Sequence, residues 1–122
     1  MSSSKCPCDQ TMLYQSCCEP LHLGGVASTP EQLMRSRYSA FALGLRDYLL
    51  LTWHPSTRPD LELDDNPKWV QLQILNCSQH QDHGGVHFRA FFQLNGELQI
   101  MEERSRFVRE GGRWFYLDGT VR

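Results

Sequence analysis

The sequence predicts an α+β protein with a small cysteine-rich segment near its N-terminal end. Apolar residues recur every three or four positions between residues 30 and 51, which is typical of amphipathic helices. From Lys68 onward apolar and polar residues alternate, as in strands that are buried on one face. Four of the five cysteines lie between residues 6 and 18. We therefore expect two parts, residues 1–25 and residues 26–122.

Composition and charge restrict the class of protein. The chain has 122 residues, of which 40% are hydrophobic and 21% charged, and this length allows about one domain. A formal net charge of -2 argues against a general nucleic-acid-binding protein, which needs a basic surface to displace counterions from phosphates. The apolar runs are too short for a membrane span, and the start MSSSKCPC has no stretch typical of a secretion signal. We expect a cytoplasmic protein without membrane or nucleic-acid partners.

The first element along the chain is the cysteine segment, with the spacing C-x-C-x8-C-C. Structural disulfides are rare in the reducing cytosol, so such a cluster is more often a metal or redox site. Redox pairs usually have the spacing C-x-x-C, which neither pair here has. Four thiolates fill the tetrahedral sphere of zinc and leave no position for a catalytic water, which predicts a structural site. The predicted ligands are Cys6, Cys8, Cys17 and Cys18.

A histidine is the alternative fourth ligand, because His22 follows Cys18 by four residues. Thiolates suit zinc at least as well as imidazole does, which favours Cys18, and iron is the alternative metal. The segment resembles the SEC-C motif, a small metal-binding motif best known from the C-terminal tail of the SecA translocation ATPase, with ligands spaced C-x-C-x8-C-[CH]. This resemblance implies contact with a protein or ribosomal partner, for which the candidate surface is Met12, Leu13 and Tyr14.

The helical segment begins after a Gly24-Gly25 turn. Thr29 is a predicted N-cap, Pro30 the first helical residue, and Gln32 the reciprocal partner of a capping box. A second, short helix is predicted over residues 46–52 and is ended by the sequence Trp53-His54-Pro55. One side of the first helix carries the apolar residues Leu33, Met34, Tyr38, Phe41, Ala42 and Leu45.

Four antiparallel strands are predicted after the helices. In the first of them Val70, Leu72 and Ile74 are expected on the buried face. Their bounds are residues 68–78, 87–94, 97–109 and 113–120. Turn residues that tolerate positive φ connect them at Asp82-His83-Gly84-Gly85, Asn95-Gly96 and Gly111-Gly112. Helices followed by such a meander predict a layer of helices packed on a curved sheet.

The order of these elements resembles the cone-shaped fold of nuclear transport factor 2. Three blocks, LMRSRYSAFALG, YLLLTWHPSTRP and ERSRFVREGGRWFYLDG, are also similar to the YchJ family of bacterial proteins, in which a SEC-C motif precedes such a domain. The resemblance covers nearly the whole chain and implies a nuclear-transport-factor-2-like domain over residues 26–122. Our first functional hypothesis is a non-enzymatic interaction module with a structural zinc.

The alternative hypothesis is a small-molecule-binding protein or enzyme that uses the pocket of the cone. In the third strand, alternation places Glu103 on the same face as Met101 and Phe107, which is expected to be buried. A buried carboxylate is costly unless it is paired, so Glu103 is either half of a structural ion pair or a general base, as in the ketosteroid isomerases of this fold. The candidate ion-pair partners are Arg35, Arg37 and Arg58.

Two further residues complete the catalytic candidates at this pocket. His54 can exchange a proton near neutral pH, although its position after a helix can equally indicate a capping interaction with free carbonyls. Arg58 can bind an anionic group. The residues expected around the mouth of the pocket are Trp53, His54, Arg58, Trp114 and Asp118.

Overall fold

The computed structural model describes residues 4–64 and 66–121 and contains a four-stranded antiparallel sheet against which helices pack. A small two-stranded hairpin precedes the helices, and the four long strands pair in chain order. This architecture confirms the predicted α+β class. In chain order the elements are β1 (Lys5–Cys6), β2 (Asp9–Leu13), a 3-10 helix (Tyr14–Ser16), α1 (Glu19–His22), α2 (Pro30–Leu43), α3 (Arg46–Leu51), β3 (Lys68–His80), β4 (His83–Leu94), β5 (Glu97–Glu110) and β6 (Arg113–Val121).

Helix α2 begins at the predicted residue. Thr29 Oγ1 accepts a hydrogen bond from the backbone N–H of Gln32 at 3.1 Å, and Pro30 at the first position needs no partner for an N–H. The Gln32 side chain accepts from the backbone N–H of Ser28 at 2.6 Å, so the capping box is displaced by one residue. The helix ends where Gly44 adopts a φ of 73°, a left-handed conformation that glycine tolerates best.

The hairpin between β3 and β4 differs from the prediction. The strands pair as far as His80, so the turn is made by Gln81 and Asp82 rather than by the glycines. Gly84 lies inside β4, where an added Cβ would overlap with the ring of Pro30 at the start of α2. This glycine is therefore required by the close approach of strand and helix, and not by the turn.

A bulge changes the predicted face of one residue in β3. The register against β4 shifts between Trp69 and Gln71, and the extra residue, Val70, is 40% exposed. Leu72 is buried and Ile74 packs against the core, as predicted. The prediction for Val70 is wrong because an alternating pattern does not reveal where a strand is interrupted.

The core lies between α2 and one face of the sheet. Buried members include Leu33 and Tyr38 of α2, Phe88 of β4 and Phe107 of β5. Residues of the N-terminal segment belong to the same buried cluster, namely Cys6, Cys8, Cys18 and Leu21. The two predicted parts therefore share one core, and the boundary after residue 25 remains a prediction about domain organisation.

One edge of the sheet is paired with the chain that follows α3. The backbone N–H of His54 donates to the carbonyl of Tyr116, and the N–H of Tyr116 donates to the carbonyl of Thr52, both at 2.8 Å. This parallel bridge fixes the indole of Trp53 against the ring of Tyr116, with centroids 5.0 Å apart. In the described ranges, each helix is too short or too polar to cross a lipid bilayer.

Candidate functional site

Two turns of the N-terminal segment place four sulfur atoms together. Cys6 ends β1, and Cys8 follows in the turn that leads into β2. Cys17 follows the 3-10 helix, and Cys18 immediately precedes α1. The four Sγ atoms all lie within 4.8 Å of one another. The structure thus brings the four predicted cysteine ligands into one cluster.

The distances between the sulfur atoms fit a tetrahedral metal ion. They are 3.6 Å for Cys6 and Cys8, 3.5 Å from Cys8 to either Cys17 or Cys18, and 4.0 Å for Cys17 and Cys18. Zinc–sulfur bonds of about 2.3 Å in a tetrahedron require sulfur atoms just under about 4 Å apart. A disulfide would need a separation of about 2.05 Å, far shorter than these distances. The donor set therefore fits a thiophilic metal such as zinc or iron.

His22 lies beside this cluster with both ring nitrogens engaged. Nδ1 is 2.6 Å from the hydroxyl of Tyr14, and Nε2 is 2.8 Å from the backbone carbonyl oxygen of Ser36. Because a carbonyl only accepts, Nε2 carries the proton and Nδ1 accepts from Tyr14. Neither nitrogen offers a free lone pair to a metal, so the geometry supports Cys18 rather than His22 as the fourth ligand.

Helix α2 contributes polar contacts to the cysteine cluster. The hydroxyl of Ser39 donates to Cys18 Sγ at 3.3 Å and lies 3.5 Å from Cys6 Sγ. Arg35 donates to the backbone carbonyl of Cys8 at 3.2 Å. A hydroxyl donor and a nearby cation reduce the cost of burying thiolate charge. Helix α2 thus supplies groups that would support a metal ion bound by the four cysteines.

A cavity of about 260 Å³ lies between α2 and the inner face of the sheet. This volume is close to the lower end of the range for small-molecule sites, which begins at about 300 Å³. Its lining combines two charged residues, Arg37 and Glu103, with apolar walls. Six rings contribute to these walls: Tyr38, Phe41, Trp53, Trp69, Phe88 and Tyr116.

Glu103 faces this cavity, on the side of β5 that alternation predicts, and hydroxyl groups hold it there. Its Oε2 accepts hydrogen bonds from Ser105 Oγ at 2.5 Å and from the hydroxyl of Tyr116 at 3.0 Å. The ion pairs within residues 4–64 and 66–121 do not include Glu103. The expected arginine partners instead bond to Glu31, to Thr52 or to backbone carbonyls; they are Arg35, Arg37 and Arg58.

Arg37 is a buried cation in the wall of the same cavity. Its Nη1 donates to the carbonyl of Leu49 at 2.8 Å and to Thr52 Oγ1 at 2.7 Å. The guanidinium carbon lies 4.8 Å from the centre of the Trp53 ring and 4.6 Å from that of Tyr116. Burial lowers the pKa of Arg37 to about 10, so the side chain stays protonated at neutral pH. Carbonyl dipoles and ring faces stabilise this charge in place of a carboxylate.

The structure separates the other two catalytic candidates from Glu103. His54 Nε2 lies 3.0 Å from the carboxylate of Glu110, and His54 Nδ1 lies 2.7 Å from Ser56 Oγ. Arg58 is exposed and donates to a backbone carbonyl. Neither residue lines the cavity, and of the residues expected at its mouth only Trp53 does so.

Sequence reasoning missed two hydrogen-bond donors that lie in the cavity wall. The hydroxyl of Tyr38 and the ring N–H of Trp53 are buried and have no hydrogen-bond partner in the described part of the chain. The apolar pattern correctly predicts Tyr38 to be a core residue, but a pattern cannot show whether a buried hydroxyl finds a partner. The sequence contained one sign of a polar site within the core. Arg37 is a charged residue, and it falls beside Met34 and Tyr38 on the apolar face of α2.

The residues expected to contact a partner are exposed to different degrees. Met12 is 42% exposed, whereas Leu13 and Tyr14 are half-buried. The hydroxyl of Tyr14 points to His22 rather than to solvent. Of the three, Met12 is therefore the residue that offers most of its side chain to another molecule.

Comparison with known families and proteins matches both parts of the chain. The family model described as YchJ, middle NTF2-like domain, matches residues 29–119. A UPF0225 protein of Chromobacterium violaceum is 48% identical over 126 residues, covering 95% of this chain and 92% of that protein. A UPF0225 protein of Vibrio parahaemolyticus is 42% identical over 126 residues, covering 97% of this chain and 75% of that protein.

Two solved structures share the whole architecture. The solution structure of a SEC-C motif containing protein from Rhodopseudomonas palustris superposes with a TM-score of 0.86 at 35% identity, covering 95% of this chain and 97% of that one. The crystal structure of a SEC-C motif containing protein from Psychrobacter arcticus gives a TM-score of 0.81 at 31% identity, covering 97% of this chain and 82% of that one. Both similarities extend across the cysteine cluster and the sheet.

Proposed function

Because the chain belongs to the YchJ family of bacterial proteins, also named UPF0225, we propose that it is a zinc-containing interaction module of the cytoplasm. In this proposal zinc is structural, the protein has no enzymatic activity, and the N-terminal segment binds a protein or ribosomal partner. The description of the two similar structures as SEC-C motif proteins supports a metal-binding role for the same segment.

The observation that carries the proposal is the closed set of four thiols. Three of the four cysteines are buried, and the four sulfur atoms have the separations of a tetrahedral site. A metal bound by all four would have no open position for water or substrate. Bound zinc would thus hold β1, β2 and α1 together and supply no reaction chemistry.

The surface of the segment supports an interaction role. Met12 projects from β2, and Leu23 and Val26 are exposed at 79% and 49% in the connection between α1 and α2. Exposed apolar side chains on a small metal-stabilised unit are suited to contact with another macromolecule. The proposal places the contact at Met12 and its neighbour Leu13.

The metal is tested by its stoichiometry in protein purified without added metal salts. We expect one zinc per chain in the wild type, and loss of zinc in Cys17→Ser and in Cys18→Ser. Cys77→Ser is the matched control, because Cys77 is an exposed thiol in β3, outside the cluster. Iron in place of zinc would replace the structural assignment by a redox-capable one, and zinc retained in Cys18→Ser would exclude the four-thiolate site.

The partner contact is tested by co-sedimentation with purified bacterial ribosomes and by affinity capture from a bacterial lysate. Met12→Ser combined with Leu13→Ser should weaken capture while zinc content stays the same. Tyr14 is left unchanged because its hydroxyl bonds to His22. The control is Leu98→Ser, which changes an exposed apolar residue of β5, outside the N-terminal segment. Capture that survives the double substitution would show that the interface lies elsewhere.

The cavity favours a second candidate function, the binding or conversion of a small molecule. Glu103 is the observation behind it, because a carboxylate in an aromatic cavity can orient or deprotonate a bound compound. Glu103→Gln keeps an oxygen that can accept from Ser105 and Tyr116, so we expect the variant to remain folded. Loss of binding or turnover in the folded variant would support this function. A loss of stability alone, without any change in binding, would assign Glu103 a structural role.

A further inference from the structure

Two hydrogen-bond donors in the cavity wall have no partner among the described residues. Tyr38 is only 3% exposed, and its hydroxyl is buried without a hydrogen bond. The ring N–H of Trp53 is also buried without a hydrogen bond. Roughly 90% or more of buried polar groups in proteins are hydrogen-bonded, so two unpaired donors in one cavity are unusual. Both residues line the cavity that contains Glu103.

An acceptor faces the same space. Both hydrogen bonds to Glu103 end at Oε2, from Ser105 and from Tyr116. Oε1 receives no hydrogen bond within residues 4–64 and 66–121 and can accept one from a bound molecule. The residues that line the cavity thus include two donors without a partner in the described ranges, both covered by neighbouring atoms, and one acceptor.

The charges and walls restrict the chemistry of that molecule further. Arg37 and Glu103 contribute one positive and one negative charge to the lining, so the cavity has no net charge for an ionic ligand to balance. Flat aromatic walls favour a planar compound that packs against them. A volume of about 260 Å³ is suited to one or two fused rings.

The geometry points to an uncharged, planar ring compound as the ligand of this cavity. Its edge would carry an acceptor for the Tyr38 hydroxyl or the Trp53 N–H, and an O–H or N–H group that donates to Glu103 Oε1. Ring amides and hydroxylated aromatic compounds have this combination of groups. The inference rests on the second candidate function, because it names the class of molecule that the cavity would take.

The test is a titration of the full, metal-loaded chain with three fused-ring probes of similar size. 2-Quinolone and 2-naphthol are uncharged and carry the required polar edge, whereas 2-naphthoate is an anion of similar shape. Binding is followed by NMR shifts of the backbone amides of residues 37, 38 and 103, which also localise the probe. We expect the two uncharged probes to bind at the cavity and 2-naphthoate to bind at least about tenfold more weakly, because a cavity without net charge does not offset the cost of burying the carboxylate of the probe.

Tyr38→Phe separates a ligand contact from general packing. This variant removes only the unpaired hydroxyl, so it should fold at least as well as the wild type. We expect its affinity for 2-quinolone to fall about fivefold, the size of one hydrogen bond. Tyr48→Phe is the matched control, because the Tyr48 hydroxyl bonds to Ser36 and does not line the cavity. Trp53→Phe provides a second variant that removes the other donor.

The outcomes test two claims separately: the class of ligand, and the role of the cavity as a binding site for small molecules. If 2-naphthoate binds as tightly as the uncharged probes, the proposed class of uncharged ligands is overturned. The cavity would still be a binding site for small molecules. Equal affinity of 2-quinolone for the wild type, Tyr38→Phe and Trp53→Phe overturns the assigned donors. Absence of binding by all three probes overturns the proposed ligand class, while the second candidate function is decided separately by Glu103→Gln.

Discussion

At the scale of single residues, His22 shows that a predicted ligand type can have another structural role. It lies close to the cysteine cluster, yet Nδ1 accepts from Tyr14 and Nε2 donates to the carbonyl of Ser36. Its ring also packs edge-on against Tyr48, with centroids 4.7 Å apart. These contacts connect α1, α2 and α3, so the histidine joins the N-terminal segment to the helices.

We predict that His22→Ala retains one zinc per chain but is less stable than the wild type. The variant loses two hydrogen bonds in a half-buried place, which costs about 1–3 kcal/mol of unfolding free energy. Metal analysis and urea unfolding measure the two effects separately, with Cys18→Ser as the control that should lose the metal. Loss of zinc from His22→Ala with all four cysteines present would identify the histidine as a ligand.

At the scale of elements, the contact between β4 and α2 depends on the absence of a side chain. Gly84 lies in the strand where Pro30 begins the helix, and an added Cβ would overlap with the proline ring. Strand and helix are therefore closer here than any other residue type would allow. This contact helps to fix where α2 lies above the sheet.

We predict that Gly84→Ala destabilises the protein by about 1–3 kcal/mol, the usual cost of overpacking. If the overlap with Pro30 is the cause, Gly84→Ala should cost much less when Pro30 is also changed to alanine. A double-mutant cycle by urea unfolding measures this coupling. Additive effects of the two substitutions would show that the glycine is needed for another reason.

The same elements show which features local sequence could predict. Thr29 and Pro30 start α2 as expected, because an N-cap uses groups that are close in the chain. The displaced hairpin turn and the bulge at Val70 were not predicted, because register depends on the partner strand. For the candidate site, dense cysteine spacing indicated all four sulfur positions. Ser105, two residues from Glu103, falls on the same face of β5 by alternation, but the second partner, Tyr116, comes from β6 and could not be read from the sequence around Glu103.

At the scale of the whole molecule, the cysteine cluster and the sheet share one core. Cys6, Cys8 and Cys18 belong to the same buried cluster as Phe88 and Phe107. Ser39 of α2 contacts two of the sulfur atoms directly. Disruption of the cysteine cluster should therefore destabilise the sheet as well as the N-terminal segment.

We predict that removing the metal lowers the thermal unfolding midpoint of the entire chain. A bound ion would hold together a segment that covers part of the core, and its binding free energy would add to the folding free energy. Tryptophan fluorescence reports on the sheet through the buried Trp114, while far-UV circular dichroism reports on all elements. An unchanged tryptophan transition after chelation would show instead that only residues 5–23 depend on the metal.

We also predict that stability decreases as the pH rises above about 10, the ordinary pKa of tyrosine. Burial raises the pKa of Tyr14, Tyr38, Tyr48 and Tyr116, so the folded state keeps protons that the unfolded state releases. Their contribution is complete below pH 10 and is lost as the pH approaches the higher folded-state values. The lowered pKa of Arg37 acts in the opposite direction, but it is one group against four tyrosines.

Urea unfolding at several pH values between 8 and 11.5 checks this dependence. Tyr38→Phe should show a shallower decrease than the wild type, because one of the four tyrosines with a raised pKa is gone. A stability that rises over this interval would mean that Arg37 outweighs the tyrosines.

The short parallel bridge beside β6 has a consequence for association between molecules. Tyr116 uses both its N–H and its carbonyl with residues 52 and 54, so a foreign strand cannot pair there without displacing this connection. At the opposite edge, β3 carries register shifts after Trp69 and after Ile74, which interrupt a regular row of donors and acceptors. The addition of a strand from another molecule, which is the first step of polymerisation into fibres, is thus obstructed at both edges of the sheet, β3 and β6.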